Sequence, residues 1–181
     1  LVGRLARYWG TNVELGPVGI GENPAFARLA DAKLAARTAD DVAGLLDGQF
    51  SFLGITHQLP DPIDWQLSDW PDAPHLWRFH LHYQEYLLDL AAEGRRLGGP
   101  CWTERAWDLL RQWIDGNRPG NVRTLDDAWH PFCISRRLPV WLVLWTVAPP
   151  PDELAEQVRR SMATQVRFLR RHLERDLGGN H

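Results

Sequence analysis

Residues 152–176 read DELAEQVRRSMATQVRFLRRHLERD, and this stretch decides the fold class. Leu154, Val158, Met162, Val166, Leu169 and Leu173 recur at intervals of three or four residues, the spacing that lines one side of an α-helix. Pro151 suits the first helical turn. Asp152 and Glu153 suit the positive end of the helix, and Arg170, Arg171 and Arg175 suit its negative end. The spacing predicts a helix from Asp152 to about Asp176.

The pattern repeats upstream. Pro149-Pro150-Pro151 closes a stretch in which Ile134, Leu138, Trp141, Leu142 and Trp145 follow Pro131 at helical spacing. Trp102, Ala106, Leu109, Leu110 and Trp113 make another stripe, ended by Gly116, and Leu76, Phe79, Tyr83, Leu87 and Leu90 make one between Pro74 and Gly94. Four helices with mostly short connections predict stacked antiparallel pairs. From Leu59 to Pro74 the chain carries four prolines, four Asp and two Trp, an ordered but irregular connection in which Trp65 and Trp70 need burial. A brief alternation near 49–55 reads as a short extended segment, and Asp40–Leu46 as a short helix. Asn23-Pro24 reads as cap and first turn of a helix bearing Phe26, Leu29, Ala30 and Leu34. Leu1–Trp9 reads as a short helical end before a Gly-rich loop through Gly21. No fixed-period repeat is visible. The expected fold is all-α with irregular loops, organised as an N-terminal helical arm over 1–48 and a main helical domain over 49–181.

Composition narrows the function. Among 181 residues, 20 Lys+Arg face 23 Asp+Glu for a net charge of −3, which excludes the broad basic footprint of a general nucleic-acid binder. A hydrophobic fraction of 44% with 24% charged residues excludes a disordered chain. Cys101 and Cys133 make neither a disulfide scaffold nor a CxxC metal knuckle. The longest apolar run, Leu138–Ala148, is too short to cross a bilayer. All the basic residues but Lys33 are Arg, a bias that fits either anionic ligands or the codon usage of a GC-rich genome. With no initiator Met, and with Gly178-Gly179-Asn180-His181 directly after a periodic helix, the sequence reads as part of something longer.

Several constellations carry chemistry. His80 and His82 lie two apart, so on a helix they point about 200° from each other and cannot chelate one ion. His82 and Tyr86 share a face, as a polar seam or as part of a site. Asp61, Asp64, Asp69, Asp72, Asp126 and Asp127 offer either the acid–base pair of a glycoside hydrolase or ordinary turn chemistry. Ala128-Trp129-His130-Pro131-Phe132-Cys133-Ile134-Ser135-Arg136-Arg137 gathers Trp, His, Ser and Arg at a loop-to-helix junction, either a binding surface or a Trp packed with an Arg stacked on it.

Three segments together resemble the heparinase II/III-like family of polysaccharide lyases, in its N-terminal helical domain. They are Leu76-Trp77-Arg78-Phe79-His80-Leu81-His82-Tyr83, Trp129-His130-Pro131-Phe132-Cys133-Ile134-Ser135-Arg136-Arg137, and Leu177-Gly178-Gly179-Asn180-His181. Their order and rough spacing match from about Phe50 to the end. The resemblance implies the first part of an incomplete (α/α) toroid, with further helices and β-sandwich domains after His181. It implies β-elimination on an acidic, uronate-containing polysaccharide. No metal or cofactor is expected, and neither nucleic acid nor membrane is expected as a partner. Asn180 matches the residue that neutralises the uronate carboxylate, and His181 its neighbouring His. Loss of one such donor costs about 2.7–4 kcal/mol in the barrier. Arg78, His82, Tyr83, Trp129, His130 and Arg137 match positions near the substrate cleft. His80 stands where the family usually has Asn, and the family's catalytic Tyr and a further His lie beyond the Asn-His pair, so the chain is expected not to catalyse alone. Related lyases are commonly periplasmic or secreted, others cytoplasmic. Two other readings stay open: a non-catalytic carbohydrate-binding or scaffold module, and an inverting glycoside hydrolase. Of the ten Trp, Trp65, Trp102, Trp107, Trp113, Trp141 and Trp145 are expected in the core, with Trp77 and Trp129 beside the sugar.

Overall fold

The computed structural model describes residues 24–37, 42–120 and 125–176. The chain is mainly helical, with antiparallel helix packing and one small sheet. Helix α1 (Pro24–Ala35) begins on its proline and buries Ala30 and Leu34, while Leu29 stays exposed. The expected helix over Asp40–Leu46 is a 3₁₀ turn, Val42–Asp47, that buries Val42 and Leu45. The extended segment is a hairpin of β1 (Gln49–Phe52) and β2 (Ile55–Gln58), paired antiparallel with Phe52 opposite Ile55. Leu53 at φ 56° and Gly54 at φ 76° make the two-residue left-handed turn that matches strand twist. Only the first strand was expected from the sequence.

The stripe expected between Pro74 and Gly94 belongs to two helices, α2 (His75–Tyr83) and α3 (Tyr86–Leu97). The break is Gln84, left-handed at φ 60° and fully buried, whose side-chain Oε1 accepts from the Trp141 indole at 2.6 Å. Rephasing moves the buried side of α2 onto Trp77 and Leu81 and leaves Leu76 58% exposed.

The remaining helices end where the sequence places its punctuation: α4 (Cys101–Gly116), α5 (Pro131–Val147) and α6 (Asp152–Asp176). Helix α3 packs on α4, and α5 on α6. Trp113 of α4 meets Trp141 of α5 edge-to-face at 5.5 Å, at the centre of the core. Along α6, Leu154, Val158 and Met162 are buried, but Val166 is exposed and Phe168 takes the inward place further on. Trp65 is buried and donates to the Gln112 carbonyl at 3.1 Å, while Trp70 stacks on His57 at 4.2 Å, so the Pro-rich connection is pinned by its tryptophans. Residues on both sides of position 48 share one core. Among the described residues no helix is long and apolar enough to cross a membrane.

Candidate functional site

Two of the three sequence motifs meet on one face. His75, Phe79 and Tyr83 recur every four residues along α2, so they form a row. The start of α5 packs against that row: Phe79 lies 5.0 Å from His130, and Tyr83 lies 5.7 Å from Phe132, edge-on. His75 abuts Phe79 at 4.1 Å, and His80 abuts Tyr83 at 5.1 Å while stacking on Phe52 of the hairpin. Phe79, Tyr83 and Cys133 form a small buried cluster separate from the main core. The result is a strip of phenyl and imidazole rings, with Phe132 53% exposed at its edge.

Charges flank the strip. Arg78 donates to Asp127 at 2.9 Å and to the Ala73 carbonyl at 2.8 Å. The other Asp127 oxygen has no hydrogen-bond partner, and His75 Nε2 stands 3.9 Å from it. Arg136 pairs with Glu85. His130 caps α5: its Nδ1 accepts from the Phe132 backbone N–H at 3.2 Å, ahead of Pro131 in the first turn. In the neutral ring that bond assigns the proton to Nε2, which makes His130 a donor.

Burial, with the neighbouring Cys133 thiol adding to it, raises the Tyr83 phenol above its ordinary value, so the group is a proton donor at neutral pH. Burial likewise pushes the Cys133 thiol up to about 12, which rules it out as a thiolate nucleophile near neutrality.

The structure corrects three expected cleft residues. His82, Trp129 and Arg137 are 2%, 1% and 0% exposed, and all three work inside the protein. His82 Nδ1 accepts from the Trp113 indole at 3.1 Å, and Trp129 donates to the Asn117 carbonyl at 2.9 Å. Arg137 donates to Gln165, to the His82 carbonyl and to the Ala128 carbonyl, at 2.8 to 2.9 Å. Polar atoms whose partners come from the fold can be buried, and these side chains hold the motif face from behind. Trp77, expected beside a sugar, is fully buried too, and its indole donates to the Ile55 carbonyl at 3.0 Å. Tyr86 is also interior, donating to the Leu81 carbonyl at 3.2 Å.

Arg78, His130 and Tyr83 remain at the face, Arg78 and His130 half-buried and Tyr83 by its edge. Asn180 and His181 lie outside the described residues. The face also includes His75, which the sequence did not single out, together with Phe132 and Arg136 of the second motif and the loop carboxylate Asp127. The four-residue step from His75 to Phe79 was the available signal for the first.

Three of the six loop carboxylates, Asp61, Asp64 and Asp127, are engaged within the fold. Burial alone would raise the Asp64 pKa, but the backbone N–H groups of Ser68 and Gln66, at 2.8 and 3.1 Å, lower it instead. Asp61 pairs with Arg105 and accepts from Gln112 at 3.0 Å. His80 and His82 diverge as their spacing requires, and among the described residues no group of three or more His, Cys, Asp or Glu is placed to hold a metal ion.

No family model, curated protein or solved structure matches the chain.

Proposed function

We propose that this chain is the N-terminal helical portion of a polysaccharide lyase that cleaves an acidic, uronate-containing polysaccharide by β-elimination. The observation that carries the reading is the convergence of two motifs, far apart in sequence, on one face through Phe79–His130 and Tyr83–Phe132. The exposed rings at the edge of the strip, Phe132 and His75, suit the apolar faces of sugars, and the His130 Nε2–H and the guanidinium groups of Arg78 and Arg136 suit anionic oxygens.

In this reading Asn180 and His181 act on the reacting unit. The proton on C5 of a uronate is weakly acidic while the adjacent carboxylate carries its full charge. An amide and an imidazole donating to that carboxylate stabilise the enolate-like charge that develops as the proton leaves and the sugar at C4 departs. Tyr83, held protonated, and Tyr86, enclosed in the core, do not serve as the base. In this reading the base is a further side chain, neither Tyr83 nor Tyr86.

The test supplies acidic polysaccharides to the complete polypeptide that carries these residues and follows the ultraviolet absorbance of a new C4–C5 double bond. New reducing ends without that absorbance would point to hydrolysis and sink the proposal. A second reading, sugar binding without chemistry, is favoured by the ring strip alone. Turnover separates the two: Asn180→Ala leaves oligosaccharide binding nearly unchanged in both, but a lyase loses its turnover by that substitution, whereas a binding module has none to lose.

A further inference from the structure

Asp127 stands behind the motif face and meets three of its polar residues. Its Oδ2 accepts from Arg78 Nε at 2.9 Å, and its backbone carbonyl accepts from the His130 backbone N–H at 3.2 Å. Its Oδ1 is enclosed and has no hydrogen-bond partner, with His75 Nε2 3.9 Å away. One loop residue thus joins the first turn of α2, through His75 and Arg78, to the cap of α5, through His130.

The two carboxylate oxygens have different tasks. Arg78 is held twice, by Asp127 through Nε and by the Ala73 carbonyl through Nη1 at 2.8 Å. Two bonds on a planar group fix its orientation. Among the described residues the remaining nitrogen, Nη2, has no acceptor, and it is not enclosed, so it opens to solvent. The other carboxylate oxygen is closed to a ligand but stands next to His75. That ring is 59% exposed and rests on Phe79 at 4.1 Å. A small rotation brings its Nε2–H onto Oδ1 and removes the cost of a buried, unpaired acceptor. With the proton held on Nε2, the neutral ring presents Nδ1 as an acceptor.

Charge alone argues against a carboxylate at this place. Beside Arg78 it offsets the positive charge that an anionic ligand seeks, and a site built on charge would omit it. Orientation is what the carboxylate adds: a guanidinium already fixed in its plane loses less freedom when it binds.

We propose that Asp127 is a positioning residue of the polysaccharide site. It aims Arg78 Nη2 at a uronate carboxylate and His75 Nδ1 at a neighbouring sugar hydroxyl, and it does not itself touch the sugar. The proposal rests on the motif face being the polysaccharide site.

Calorimetric titration of the full chain tests it, with short oligosaccharides of glucuronate, galacturonate and mannuronate as probes and their methyl esters as uncharged counterparts. Asp127→Asn offers one oxygen where two partners need two. It should weaken binding of the acid about tenfold and of the ester by less than about threefold. Asp127→Glu keeps the charge but moves it by one methylene, and should weaken binding of the acid to a similar extent. In an Arg78→Ala background, Asp127→Asn should weaken the acid by less than about threefold further. Tighter binding of the acid by Asp127→Asn would show that Asp127 only screens Arg78. Equal weakening of acid and ester would show a purely structural role, and unchanged binding would show none; each of these results overturns the proposal. If the unaltered chain binds neither acid nor ester, the reading of the face as a sugar site fails, and this proposal fails with it.

Discussion

The Arg137 guanidinium lies 3.9 Å above the Trp113 ring, and all three of its hydrogen-bond acceptors are uncharged. Among the described residues it forms no ion pair. Burial pulls its pKa from the ordinary value down to about 9, which still leaves it protonated at neutral pH. The indole face supplies part of the missing counter-charge. One fork ties the last turn of α2, through the His82 carbonyl, to the loop before α5, through the Ala128 carbonyl. The two motif segments are therefore held together from inside.

Replacing that fork should cost more than removing a surface charge. Arg137→Ala strands three buried acceptors, each worth about 1–3 kcal/mol when left unpaired, so a loss above about 3 kcal/mol is expected. Arg137→Lys keeps a charge but not the planar geometry and should fall between Ala and wild type. Urea unfolding measures both, and a loss below about 1 kcal/mol for Arg137→Ala would show that the fork is not what joins the segments.

His82 gives a pH dependence with a definite sign. Burial first, then the positive charges of Arg137 and Arg78, lowers its pKa from 6.5 to about 3. The unfolded chain therefore binds a proton near pH 6.5 that the folded chain refuses until about pH 3. Stability from this group is complete above pH 6.5 and drains away as the pH falls toward 3, by about 3 kcal/mol at pH 4. His82→Gln keeps an acceptor for the Trp113 indole but cannot titrate. Relative to this variant, the wild-type unfolding free energy should fall by about 3 kcal/mol between pH 7 and 4, and parallel curves over that range would refute the assignment.

Much of this architecture was legible in the sequence because Pro and Gly sit at element ends. Pro131, Pro151 and Gly116 mark the bounds of α4, α5 and α6. The break at Gln84 was not legible, since nothing local makes glutamine left-handed. Its side chain is claimed by Trp141, 57 residues away, and that tertiary bond holds the turn. The motif face was half legible. The segments were marked by their chemistry, but which of their polar residues turn inward depends on partners such as Trp113, Gln165 and Asn117. Those partners lie on other elements and leave no local pattern. The motif pattern alone therefore assigns His82, Trp129 and Arg137 to the surface, whereas they belong to its support.

Gly116 is a packing test of the Pro-rich connection. A Cβ there would stand 2.5 Å from Trp65 Cδ1, closer than real contacts allow. Gly116→Ala gains up to about 1 kcal/mol of helix propensity, against about 1–3 kcal/mol for displacing a packed indole. It also strains the Trp65 bond to the Gln112 carbonyl. A net loss of about 1–2 kcal/mol is expected. A stabilised Gly116→Ala protein would mean that Trp65 moves aside freely.

Phe132 and Trp129 stand three residues apart on the same motif and should respond in opposite ways. Trp129 is enclosed, meets Trp113 at 6.2 Å and Phe168 at 5.4 Å, and donates to Asn117. Trp129→Ala should therefore cost about 3–5 kcal/mol of stability. Phe132 is half in solvent, so Phe132→Ala should change stability by no more than about 0.5 kcal/mol. If the strip holds sugar, the same substitution removes a ring face from the ligand and should weaken oligosaccharide binding about tenfold, close to the worth of one aromatic contact. Thermal unfolding and calorimetric titration of both variants separate the outcomes. A Phe132→Ala protein that is stable and binds acidic oligosaccharide as tightly as wild type would move the binding surface away from the strip.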